Sequence, residues 1–206
     1  MKTGNHYEMG KLIQKKMADS NMPLNKFLFI IGNLAPDLTV SYLFRQHSYN
    51  LCWPWFSRLI GRIYKRKAAS SHMRFSFLLG VASHFICDFF CYPHSNEYSG
   101  STLDHIRYES NQLVNADNLL PFEKKRSTHT SCTALLHGID KYINGYEMSL
   151  SRLSDHAEIS VIDVQQAARV TMWVATSIYL YSAHNHVSKA KSWIHTPPLR
   201  TTTSAR

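Results

Sequence analysis

Along most of this chain apolar residues return every three or four positions rather than every second one, the interval that lines one face of an α-helix. Tyr7, Met9, Leu12, Ile13 and Met17 follow it and predict a first helix over 5–19, with His6 at its start. Asn21 and Pro23 cap and open a second, apolar helix from Leu24 to Ile31. Gly32-Asn33 is expected to stop it, and Leu34-Ala35-Pro36-Asp37 to form a loop, because the residue before a proline avoids the helical region. Residues 53–67 predict an amphipathic helix: Trp53, Trp55, Phe56, Leu59, Ile60, Ile63 and Tyr64 are interleaved with Arg58, Arg62, Lys65, Arg66 and Lys67. A buried helix over 73–91, a polar turn over 93–101, a helix over 102–117 and two long helices over 127–149 and 160–187 complete the set.

Period-two alternation is scarce, and glycine and proline number only eight and seven. The expected fold is all-α: a single-domain bundle of about seven helices occupying 1–195, with a fraying polar tail over 196–206. A chain of 206 residues can bury one sizeable core, and 44% hydrophobic with 18% charged residues excludes a disordered chain.

The formal charge of +9, from 23 Lys plus Arg against 14 Asp plus Glu, points to an anionic partner: a phospholipid surface, nucleic acid or a phosphorylated substrate. Cys52, Cys87, Cys91 and Cys132 form no CxxC pair and imply no disulfide framework. Cys87 and Cys91 lie one helical turn apart beside His84 and Asp88, where they could ligate a metal or form a redox pair; packing as small hydrophobes is the favoured reading. Residues 1–25 show no signal-peptide pattern, so the expected location is cytoplasmic, with peripheral membrane contact open. The longest apolar stretch, Phe75 to Tyr92, contains His84 and Asp88, which favours a core helix carrying a site over a membrane span.

The candidate chemistry is concentrated here. Ser83-His84-Phe85-Ile86-Cys87-Asp88 and His105-Ile106-Arg107-Tyr108-Glu109 each place a histidine and a carboxylate four residues apart, on one helix face, and His94 lies between the pairs. Such groups in apolar sequence are costly to bury unless something binds them. Zinc prefers imidazole nitrogen and carboxylate oxygen, and several ions sharing carboxylates can clamp a phosphodiester. The inventory that suits this is His6, Asp37, His47, His84, Asp88, His94, His105 and Glu109.

The order of an early histidine, Gly-Asn-Leu-Ala-Pro-Asp, histidine, Ser-His-x-x-x-Asp, histidine and His-x-x-x-Glu resembles the zinc-dependent phospholipase C family over about residues 1–115. Single-strand nucleases share that family's fold and ligand order. The resemblance implies an all-helical protein with a cluster of zinc ions. Asp37, His47, His84 and Asp88 would hold a first ion, His94, His105 and Glu109 a second, and His6 with a bridging Asp88 a third. In the family the third ion is also gripped by an N-terminal tryptophan; here Met1-Lys2 stands at the start, so two or three ions are expected. Asp37 would orient or deprotonate the attacking water, or serve as a ligand alone.

Each element also has a plainer reading. His84/Asp88 could be a hydrogen-bonded buried pair, His105/Glu109 a solvated helix face, Asp37 a turn residue and His47 a loop histidine. His72, His129, His137, His156, His184, His186 and His195 lack matched spacing, although His184/His186 could bind metal adventitiously. For the helix over 53–67, an aromatic face in the core is favoured over peripheral membrane contact or nucleic-acid binding. The leading function is phosphodiester hydrolysis of the phospholipase C type, releasing diacylglycerol and a phosphorylated head group. A nuclease or other phosphodiesterase is the alternative, with Tyr92, Tyr98 and Tyr108 as stacking platforms, and a metal-binding domain without turnover is a third.

Overall fold

The computed structural model describes residues 1–39, 47–66, 72–114, 131–153 and 155–194. They form seven α-helices and one short 3₁₀ turn, with no strand among the described residues. The helices are α1 (Thr3–Asp19), α2 (Lys26–Leu38), α3 (Tyr49–Tyr64), α4 (His72–Phe89), α5 (Thr102–Asn111), α6 (Cys132–Leu150) and α7 (His156–Ile194); the 3₁₀ turn is Tyr92–His94. The all-α expectation holds. The expected tail over 196–206 lies outside the described residues.

Helix α4 is the axis of the bundle. Every residue from Leu79 to Cys91 is buried, because α4 packs against α2, α3, α7 and α1. A helix enclosed on all sides must be apolar all round, which explains the unbroken run seen in the sequence. Phe29, Phe56, Phe75, Phe85 and Phe90 are its largest fully buried neighbours and members. His84 and Asp88 are thereby carried into the interior, each 0% exposed.

The loop expected over Leu34-Ala35-Pro36-Asp37 is corrected: α2 runs through it to Leu38. Asn25 caps the helix, its side chain accepting from Leu28 N at 3.0 Å. Gly32 is not a stop signal but a crossing point. A Cβ there would lie 2.1 Å from the Phe77 carbonyl oxygen, and one on Gly80 would lie 2.1 Å from the Phe29 carbonyl oxygen. The backbones of α2 and α4 therefore touch directly. Pro36 falls in the last turns of α2, where its missing N–H costs only the bond that Gly32's carbonyl would have accepted.

Helix α5 also ends earlier than the expected 117, at Asn111. Gln112 leaves the helical region and is buried, its side-chain amide donating to Asp163 at 3.1 Å. Being short, α5 leans on its N-terminal capping box. Ser101 Oγ accepts from Asp104 N at 3.2 Å, and Asp104 Oδ2 accepts from Ser101 N at 3.2 Å. Ser101→Ala is expected to cost about 1 kcal/mol, read as a lower urea midpoint at unchanged slope.

Helix α3 turns its apolar face inward. Phe56, Leu59, Ile60 and Ile63 are buried, Trp55 packs on Phe85 (ring centroids 4.9 Å apart) and Trp53 packs on Tyr49 and Phe56. Arg58, Arg62 and Lys65 remain on the exposed side. Among the described residues no helix is long and apolar enough to cross a membrane.

Candidate metal centre

Six separate pieces of chain meet around the middle of α4. The start of α1 brings His6, the end of α2 brings Asp37, the approach to α3 brings His47, α4 brings His84 and Asp88, the 3₁₀ turn brings His94, and α5 brings His105 and Glu109. All eight residues join one continuous cluster. His6 Nε2 lies 3.1 Å from Asp88 Oδ1, His47 Nδ1 lies 2.8 Å from Asp88 Oδ2, and His84 Nε2 lies 3.0 Å from Asp88 Oδ2 and 3.6 Å from Asp37 Oδ1. At the other end, His94 Nε2 and His105 Nε2 each lie 3.0 Å from Glu109 Oε1, and His94 Nε2 is 3.9 Å from Asp88 Oδ1. The i, i+4 geometry anticipated for both pairs is present.

Two details single out buried atoms of the cluster that the protein itself leaves without a hydrogen bond. His84 Nδ1 sits 2.9 Å from the Asn33 carbonyl, which can only accept, so the ring proton is on Nδ1 and the Nε2 lone pair is free. Despite their short approaches, His84 Nε2 and Asp88 Oδ2 make no directional hydrogen bond, and neither does His6 Nδ1. Buried polar atoms without partners are rare and costly. Three in one cluster, on imidazole and carboxylate, are the donor set that zinc takes.

The electrostatics agree. Asp37, Asp88 and Glu109 gather three carboxylates within one cage, a charge that calls for cations. Burial, and then the stacked His84 ring 3.8 Å away, lower His6 to about 4, so this imidazole is neutral at pH 7 and able to ligate. Burial and the Met1 amine lower His94 as well. For His47, burial is outweighed by Asp88 and Asp37, which raise it. Burial alone would raise Asp88, but the Met1 amine, His84 and His6 hold it well below the usual carboxylate range. Glu109 is likewise held low against burial by His94 and the amine. The Met1 amine nitrogen is 2.7 Å from Asp88 Oδ1, 2.8 Å from Glu109 Oε1 and 3.4 Å from His94 Nε2. It lies between the two ends of the cluster, at the terminus where the resemblance implied a tryptophan.

Three ligand groupings have atoms close enough to share an ion: His6, Asp37 and His84; His47, His84 and Asp88; and Cys91, His94 and Glu109. The first shows that His6 can pair with Asp37 and His84 as readily as with Asp88 alone. The third brings in Cys91, favoured from sequence as a packing residue. Its thiol is fully buried and raised well above its ordinary value by that burial, which keeps it protonated.

Sequence reasoning missed the groups that orient these residues. Thr3 Oγ1 donates to Asp37 Oδ2 at 2.8 Å, Asn33 supplies the carbonyl for His84, and Asn5 Nδ2 donates to the Glu109 and Gln112 carbonyls at 3.2 and 3.1 Å. Each link joins residues far apart in the chain, so no local pattern announces it.

The cluster's innermost side is closed: the side chains of His6, His84 and Asp88 are at most 1% exposed. Its outer side is open, with His105 30% and Asp37 18% exposed. A hollow of about 600 Å³ lies elsewhere; it is lined by Tyr98, Arg107, Tyr108, His156 and Ser160 and by none of the eight. Arg107 thus faces away from the ligands between which it sits in sequence.

A family model described as zinc dependent phospholipase C matches residues 5–153. No curated protein and no solved structure matches the chain.

Proposed function

The chain belongs to the zinc-dependent phospholipase C family, and on that premise we propose that it is a zinc-dependent phosphodiester hydrolase that cleaves phospholipid head groups. The observation that carries this reading is the convergence of eight imidazole and carboxylate side chains in which three buried atoms, His6 Nδ1, His84 Nε2 and Asp88 Oδ2, make no hydrogen bond. His47, His84, Asp88 and Asp37 would hold one ion, His94, His105 and Glu109 a second, and His6 with Asp88 a third. Zinc in such a site supplies Lewis acidity, making water acidic enough to attack near neutral pH and offsetting charge that builds on phosphate.

The chain's own groups set the direction of attack. Thr3 ties down Asp37 Oδ2 and leaves Oδ1 turned toward the cluster, where it can hold a water and receive its proton. The exposed edge formed by Asp37, His47, His94 and His105 is where a phosphodiester would enter, since the opposite side is sealed by α4. The charge of +9 favours the approach of an anionic lipid surface. Because the apolar face of α3 lies in the core, membrane contact through it would fall to Arg58, Arg62 and Lys65.

The test is metal-dependent turnover. Purified protein is expected to contain two or three zinc ions per chain by elemental analysis. It should release phosphorylated head group from phosphatidylcholine vesicles, stop with a chelator and recover with zinc. Cleavage of single-stranded DNA with vesicles left intact would move the assignment to a nuclease. Bound zinc with no turnover of vesicles, DNA or a chromogenic phosphocholine ester would leave a metal-binding domain.

A further inference from the structure

The buried carboxylate of Asp163 belongs to α7, beyond the stretch that the family model matches. It is 0% exposed and no Lys or Arg pairs with it among the described residues. Four donors satisfy it instead. Oδ2 accepts from Tyr92 N at 2.8 Å, Tyr108 OH at 2.8 Å and Gln112 Nε2 at 3.1 Å, and Oδ1 accepts from Tyr146 OH at 2.6 Å. Burial pushes Asp163 up to about 7, against those hydrogen bonds.

The identity of the donors matters more than their number. Tyr92 opens the 3₁₀ turn that ends at His94. Tyr108 is the neighbour of Glu109 and lies three residues after His105, and Gln112 is the residue on which α5 ends. One carboxylate therefore fastens the two segments that present His94, His105 and Glu109. It does so from behind, 2.8 Å from the backbone of one and from a side chain of the other. The fourth donor, Tyr146, comes from α6, which carries none of the eight cluster residues. We propose that Asp163 is the positioning residue of the second zinc site, holding the His94 turn and α5 in the register at which their three ligands share one ion. This rests on the reading of His94, His105 and Glu109 as one ligand set.

Two conservative variants separate positioning from plain stabilisation. Tyr108→Phe and Tyr146→Phe each delete one hydroxyl from the same carboxylate, and both keep the ring that packs the core. A merely structural Asp163 predicts that both lower Tm and that neither alters metal binding more than the other. Positioning predicts that Tyr108→Phe weakens one of the bound zinc ions by roughly tenfold or more, as loss of an orienting partner does, and that Tyr146→Phe does not. Zinc affinity would be read by competition with a chromophoric chelator, and ligand geometry by the visible absorption of the Co²⁺-substituted protein. Asp163→Asn provides the rescue: its amide oxygen can serve the Tyr92, Tyr108 and Gln112 side while its NH₂ donates to the Tyr146 hydroxyl, so zinc stoichiometry should survive. Equal zinc affinities and equal Co²⁺ spectra in the two tyrosine variants would overturn the proposal. A wild-type protein that binds no second ion would instead overturn the ligand reading beneath it.

Discussion

Asp88→Asn is expected to empty the cluster of zinc and to lower phosphodiester hydrolysis about a thousandfold, the equivalent of about 4 kcal/mol of transition-state stabilisation. Among the described residues no other touches so many of the proposed ligands. Its Oδ1 meets the Met1 amine and His6, its Oδ2 meets His47 and His84, and His94 stands 3.9 Å away. Asparagine keeps the volume, so α4 should still pack. It removes the negative charge and turns one acceptor into an NH₂ donor aimed at nitrogens that must themselves donate lone pairs. Elemental analysis of the variant, with far-UV circular dichroism to confirm helix content, checks this. His84→Ala should have the same outcome, since it removes a nitrogen shared by two of the ligand groupings. Unchanged zinc in both variants would reject the metal-centre assignment.

Gly80→Ala should be the most damaging change to the fold, costing about 3 kcal/mol. The added methyl would meet the Phe29 carbonyl oxygen at 2.1 Å and the Asn33 nitrogen at 2.9 Å, both backbone atoms that cannot rotate away. Helix α2 would have to lift from α4. That movement would also separate Asp37 and the Asn33 carbonyl from His84, so zinc binding should weaken with stability. Gly145→Ala is the control. Nothing lies within 4 Å of its added Cβ, and alanine in an exposed helix should stabilise by about 0.5 to 1 kcal/mol. Urea titrations of the two variants should therefore move in opposite directions. A neutral Gly80→Ala would mean that the two helices do not cross backbone to backbone.

The helical class, the buried character of α4 and both i, i+4 pairs of candidate ligands are written in local periodicity, because a side chain's place on a helix depends only on residues within a turn or two. His84 with Asp88, and His105 with Glu109, could thus be read from spacing, and the order of the remaining ligands carried the family resemblance. The same local rules misplaced the segment from Gly32 to Asp37. There a glycine needed for contact with α4, and a proline harmless near a helix end, looked like a stop and a loop. Only packing distinguishes the two uses.

What tertiary structure alone decided is everything that depends on distant segments meeting. It set the Asn33 carbonyl on His84, Thr3 on Asp37, the Met1 amine between Asp88 and Glu109, and Asp163 behind the His94 turn and α5. A hydrogen bond or ion pair has a range of a few ångströms in space but no characteristic separation in sequence, so these links leave no periodic trace. The sequence determined which residues could bind metal; the folded packing decided which way their lone pairs point.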